Sequence, residues 1–190
     1  MRRITIGAAV IALLTFAGPT GAQERFSIDV RGGAAFATED YGAVDLGTGI
    51  GFAAAVRYRF MPHLGAYLGW NWYHFSPEAE GGVVEDLDLE DTGYSLGLMF
   101  EHPLTESLAG WVMGGAAFDH TEVEIDGESV GDSDHGFGWE AGAGVSFAVS
   151  DRISLLPGVR YRSFTPDLGE SEDDPSVSYL AAEIGLSWKL

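Results

Sequence analysis

Eight stretches of this chain alternate apolar and polar residues with a period of two. That period belongs to strands, whose successive side chains point to opposite faces. The stretches run over 25–37, 47–60, 64–75, 92–101, 108–119, 137–149, 153–164 and 177–190. Each has room for the roughly 9–11 residues that a tilted strand needs to cross a bilayer. The connections alternate as well. Those at 61–63, 102–107 and 150–152 are short. Those at 38–46, 76–91, 120–136 and 165–176 are long and rich in Gly, Asp and Glu. Short turns on one rim and long loops on the other describe an up-and-down meander.

The two faces of each strand differ in kind. In 47–60 one face is Ile50, Phe52, Ala54, Val56, Tyr58 and Phe60, and the other is Gly49, Gly51, Ala53, Ala55, Arg57 and Arg59. In 137–149, Phe137, Trp139, Ala141, Ala143, Val145 and Phe147 oppose Gly138, Glu140, Gly142, Gly144 and Ser146. In 177–190, Leu180, Ala182, Ile184, Leu186, Trp188 and Leu190 oppose Tyr179, Ala181, Glu183, Gly185, Ser187 and Lys189. Charges share a face with glycines, which suit a crowded interior, so the continuous apolar face points outward to lipid. A soluble ligand-carrying barrel would reverse the faces. The fifth stretch fits either orientation for Trp111 and Met113. The fold class is therefore all-β: an eight-stranded antiparallel transmembrane barrel.

Aromatic residues sort into two levels on these strands. Trp70, Trp72, Tyr94, Trp139 and Tyr161, with Phe118 beside them, fall near the long-loop rim. Tyr58, Phe60, Phe100, Phe147 and Trp188 fall near the short-turn rim. Two girdles flanking an aliphatic band are what interfacial anchoring requires.

The amino terminus reads as an export signal. Arg2 and Arg3 precede an apolar run over 4–16, and Thr20-Gly21-Ala22 is a small-residue cleavage site. The run is shorter than the roughly 20 residues of a spanning helix. The expected division is 1–22 as signal peptide and 23–190 as the barrel domain. No later segment is apolar enough for a membrane helix, and a closed strand barrel is the other way to span a bilayer. There is no cysteine, so an exported chain of this size must be held by something other than disulfides. The net charge is −19, and loss of Arg2 and Arg3 would make it more negative still. That balance excludes nucleic acid as a partner.

The last eight residues complete the pattern. Glu183, Gly185, Trp188 and Leu190 stand in an aromatic-rich final strand that resembles the insertion signal of bacterial outer-membrane barrels, although that family usually ends on Phe or Trp. The whole of 23–190 resembles the small eight-stranded outer-membrane barrels, the OmpA membrane domain and the OmpX-like proteins among them. The resemblance implies location in the outer membrane, insertion by the barrel assembly machinery, and contact with outer-membrane lipids and lipopolysaccharide. It does not imply one activity, since the architecture hosts adhesins, structural barrels, narrow channels and a few lipid-modifying enzymes.

Three groups of residues are candidates for function. Asp29, Arg31, Arg57, Arg59, Glu101, Glu140, Arg160, Arg162 and Glu183 lie on the inner face and form a lumen network. Adjacent strands would pair Asp29 with Arg57 or Arg59, Arg31 with Glu183, and Glu140 with Arg160 or Arg162. At eight strands side chains just fill the interior, so a plug is expected ahead of an ion path. Second, the long loops carry most of the 29 acidic residues. Clusters include Glu85-Asp86-Asp88-Glu90-Asp91, Glu122-Glu124-Asp126-Glu128, Asp132-Asp134 and Glu170-Glu172-Asp173-Asp174. Next to lipopolysaccharide phosphates they call for divalent cations as a bridge. None matches a Ca²⁺-loop pattern, so no dedicated metal site and no cofactor is expected. Third, His74 and Ser76 form a rim His-x-Ser that resembles the dyad of the outer-membrane lipid A deacylase. The deacylase motif continues into Asn, whereas Pro77 and Glu78 stand at those positions in this chain. No catalytic residue is assigned on the sequence.

Overall fold

The computed structural model describes residues 25–39, 46–76, 87–125, 128–167 and 176–190. Ten strand segments build it: β1 (Phe26–Ala37), β2 (Thr48–Arg59), β3 (Leu64–Phe75), β4 (Leu87–Pro103), β5 (Leu108–Ile125), β6 (Glu128–Asp132), β7 (Asp134–Ala148), β8 (Ile153–Leu155), β9 (Gly158–Asp167) and β10 (Val177–Lys189). All pairings are antiparallel, and β1 pairs with both β2 and β10, so the sheet closes on itself. Closure gives each stave of the ring a neighbour on both sides, so its ladder groups pair without water.

Eight staves account for the ten segments. β6 and β7 both lie along β5, interrupted at Ser133. β8 and β9 lie between β7 and β10, interrupted at Leu156 and Pro157. Pro157 has no N–H for a ladder, which is why it falls at a break. The neighbours are retained across it: Leu156 and Gly185 exchange backbone bonds at 2.8 and 3.1 Å, and the Val145 N–H donates to the Pro157 carbonyl at 3.0 Å. The expected division at residue 22 lies outside the described residues.

The alternation sets the faces. Ile50 is 63 % exposed and Ala53 only 6 %. The fifth stave is settled too: Trp111 is 2 % exposed and its neighbour Val112 54 %, so Trp111 faces the lumen. A ring this large can enter because Gly144 and Gly158 lie against it, where a Cβ would overlap the indole. Outside, the aromatic residues pair across strands. Phe52 meets Trp70 and Trp72 at centroid distances of 5.4 and 5.6 Å, Trp139 meets Tyr161 at 5.3 Å, and Phe118 meets Phe137 at 5.5 Å. At the other rim Phe26 meets Tyr58 at 4.8 Å. Along β1, Phe26 and Phe36 bound an outer face that spans about 33 Å of strand. At the usual tilt this projects to about 25 Å, the height of an outer-membrane apolar band.

One part of the sequence reading needs correction. β4 begins at Leu87 rather than at 92, and β5 continues to Ile125 rather than 119. Leu87 pairs with Ile125, so the two staves remain laddered well above the aromatic level. Asp88, Glu90, Asp91 and Glu122 therefore sit on strands. The period-two pattern continues there, but with charges on it, which a hydrophobic criterion reads as loop.

Candidate functional site

The lumen is filled in layers. At the outer end Phe75, Leu89, Phe164, Leu46 and Val177 pack as an apolar cap with Tyr73 and Tyr179. Below it Asp91 accepts hydrogen bonds from Tyr179 Oη at 2.8 Å and Asn71 Nδ2 at 3.2 Å, and Arg162 reaches both Asn71 and Asp119. The next layer joins two arginines through one carboxylate. Glu140 Oε2 accepts from Arg162 Nη2 at 2.6 Å and from Arg160 Nη1 at 3.2 Å, while Tyr67 Oη donates to Oε1 at 2.7 Å. Arg160 Nη2 also meets Glu183 at 2.6 Å, and Tyr73 donates to Glu183. A second apolar group, Tyr67, Met99, Trp111 and Leu156, lies towards the other end. Beyond it Arg57 bridges Glu101 at 2.7 Å and Asp29 at 3.5 Å.

The nine inner-face charges are thus not one continuous network. Glu140, Arg160, Arg162 and Glu183 form one cluster, and Asp29, Arg57 and Glu101 another. Arg31 lies 3.9 Å from Asp29, with its guanidinium 4.6 Å from the Trp111 ring centre. The expected contact between Arg31 and Glu183 is not made. Register explains this: Arg31 pairs with Gly185, whereas Glu183 pairs with Gly33 and is taken by Arg160. Arg59 lines the mouth at the short-turn rim.

Asp91, assigned to an acidic loop cluster on the sequence, belongs instead to the lumen with Asp119, Asn71, Tyr67, Tyr73 and Tyr179, none of which the sequence reading gave a role. Asp119 shares its parity with Trp111 and Met113, so fixing that face would have found it. The tyrosines reach across the barrel, and no neighbouring-strand rule predicts such contacts.

At the terminal strand, Glu183 is buried in the network, a Cβ on Gly185 would lie 2.6 Å from Arg31 Cγ, Trp188 is exposed outward, and the Leu190 N–H donates to Phe26 at 3.0 Å.

The outer rim holds a second constellation. His74 and Ser76 follow Trp72 at the top of β3, on the outward face. Ser76 Oγ is 3.2 Å from His74 Nε2 and donates to Asp88 Oδ1 at 2.9 Å. His74 Nδ1 faces Glu90 Oε1 at 3.6 Å, and Trp72 Nε1 donates to Glu90 Oε2 at 3.3 Å. The Trp72 and His74 rings stack at 5.9 Å. Of the expected acidic clusters, Glu85, Asp86, Asp126, Glu170, Glu172, Asp173 and Asp174 lie outside the described residues, as do Pro77 and Glu78.

A profile of the outer membrane protein beta-barrel domain matches residues 8–189. The chain belongs to this family. It is an integral protein of the cell outer membrane. Among curated proteins none matches. Among solved structures, Neisserial surface protein A is 17 % identical over 87 % of this chain and 97 % of its own, with a TM-score of 0.64. Ail of Yersinia pestis, in complex with the heparin analogue sucrose octasulfate, is 18 % identical over 87 % and 98 %, with a TM-score of 0.55. The outer membrane enzyme PagL is 15 % identical over 86 % and 99 %, with a TM-score of 0.50. At these identities the likeness is one of fold.

Proposed function

We propose that this barrel is closed and non-catalytic, and that it acts through its outer surface, as a structural element of the membrane or as a docking platform. The observation that carries this reading is the filled lumen. An ion path must cross the apolar cap of Phe75, Leu89 and Phe164, then two arginines held by buried carboxylates. The surface above the membrane is acidic, with Asp88, Glu90 and Glu122 on the extended strands. It would attract cations, and through divalent bridges the phosphates of lipopolysaccharide. A sulfated polyanion of the kind bound to Ail would be repelled. Planar-bilayer recording tests the closure. No unitary conductance is expected, and a conductance lost on changing Arg57 or Arg160 would overturn the reading in favour of a narrow channel.

A second reading has one specific observation behind it. His74 lies between Ser76 and Glu90 in the order a nucleophile, a base and an orienting carboxylate require. Two features oppose it: the Ser76 hydroxyl donates to Asp88 rather than to the imidazole, and the Glu90 contact is long. Mass spectra of lipid A from cells expressing the protein or Ser76→Ala decide between the readings. Identical spectra are expected; loss of an acyl chain with the parent protein alone would establish the enzyme.

A further inference from the structure

Acids and bases do not balance in the upper lumen. Arg160 and Arg162 are its cations, and Asp119, Glu140 and Glu183 already pair with them. Asp91 is a fourth carboxyl, and it makes no ion pair among the described residues. Asp91 and Asp119 are both 0 % exposed. On the β4–β5 ladder Asp91 stands opposite Thr121 and Asp119 opposite Gly93, so the two acids are diagonal neighbours on the lumen face. A Cβ on Gly93 would overlap Asp119 Oδ1. The glycine lets that carboxyl fold across onto β4, into hydrogen-bond reach of Asp91.

Each carboxyl has one oxygen in use and one without a partner. Asp91 Oδ2 accepts from Tyr179 and Asn71, and Asp119 Oδ1 accepts from Arg162. Asp91 Oδ1, Asp119 Oδ2 and the Thr121 hydroxyl make no hydrogen bond among the described residues. A buried polar atom without a partner costs free energy. Two ionised carboxylates in contact at low dielectric repel each other as well. Both costs fall if one carboxyl carries a proton, because a carboxylic acid gains an O–H donor for its neighbour. A metal ion would answer the charge, but the donors do not suit one. Among the described residues no group of three His, Asp or Glu side chains could hold it. Asn71 Oδ1 is turned to Arg162, which brings a positive charge beside the pair.

We propose that Asp91 and Asp119 share one proton at neutral pH, and that this proton fastens the lumen layer beneath the apolar cap. The groups that face the pair are Asn71 and Tyr73 from β3, Thr121 from β5, Glu140 from β7, Arg162 from β9 and Tyr179 from β10. By strand parity Glu90, His120 and Glu122 point to the other side of the wall. When the proton leaves to solvent, Arg162 is left among three carboxylates and the hydrogen bond between the two aspartates is lost.

Infrared spectra of the whole barrel in detergent, folded as judged by its gel shift on boiling, test this directly. A protonated-carboxyl C=O band that shifts in heavy water is expected at neutral pH in the parent protein, and is expected to be lost in Asp91→Asn. The amide keeps the shape of the carboxyl and offers its N–H to Asp119 in place of the shared proton. Asp119→Asn serves if the first variant fails to fold, with the same loss expected. Urea unfolding gives a second reading. The folded chain keeps a proton that exposed aspartates of the unfolded chain give up above about pH 4. The stability this proton contributes is therefore full below that range and falls as pH rises. Between about pH 5 and 7 the unfolding constant of the parent should rise about tenfold per pH unit relative to that of Asp91→Asn. Absence of the band from the parent at neutral pH, or its persistence in both variants, overturns the proposal. An absent band together with an unfolding midpoint lowered by EDTA overturns it in favour of a cation between the two carboxyls.

Discussion

The two faces of β5 obey different rules. Val112 and Phe118 look outward and need only be apolar, because hydrocarbon accepts any greasy side chain. On the other face three large side chains have named partners. Trp111 Nε1 donates to the Val145 carbonyl at 3.0 Å, Met113 Sδ lies 3.6 Å from Arg31, and Asp119 holds Arg162. One stave thus carries a degenerate surface and a specific one. The lipid face sets where the protein sits, and the lumen face sets which structure it adopts.

Mutations on the two faces should therefore differ in size and kind. The largest effect is expected for Glu140→Ala, which takes one of two carboxylate partners from each of Arg160 and Arg162 and leaves the Tyr67 hydroxyl without its acceptor. Breaking such a pair costs about 3–5 kcal/mol, and urea unfolding in detergent should show it as a large fall in midpoint. Next comes Leu96→Arg in the lipid band, at about 2–4 kcal/mol near the midplane. A loss as large from Leu96→Phe would mean that the outer face is specific after all. A neighbouring pair sharpens the contrast. A Cβ at Gly115 would meet Leu96 O at 2.5 Å and Tyr67 Oη at 2.6 Å, whereas at Gly114 the nearest atom is 3.6 Å away. Gly115→Ala should cost about 1–3 kcal/mol by overpacking, and Gly114→Ala should leave the unfolding curve in place. The smallest effect belongs to the rim: Ser76→Ala is expected to change stability by less than about 0.5 kcal/mol. A larger change by the same assay would make the rim group a structural clasp.

Much of this was legible from residues alone. The faces of β2, β7 and β10 follow directly from alternation, and the aromatic levels follow from position along each strand. Glu140 could be paired with Arg160 and Arg162 because their strands are neighbours. Asp91 was hidden because charge-rich alternation above the membrane resembles a loop. Arg31 was given the wrong acid because a two-residue shift of register moves its partner from Glu183 to Gly185. The rim site was visible as His-x-Ser, but Glu90 joined it only once β4 was seen to start early enough to lie beside His74.

By itself the sequence determined the number of staves, which way all but the fifth face, and the membrane that surrounds them. Those properties need only the two-residue period of a strand and the low polarity of lipid. The tertiary structure decided which charge meets which. Tyr67 reaches Glu140, Tyr73 reaches Arg160 and Asn71 reaches Arg162 across the lumen. In so narrow a barrel opposite walls touch, and that contact depends on stagger and closure, which no stretch of sequence carries alone.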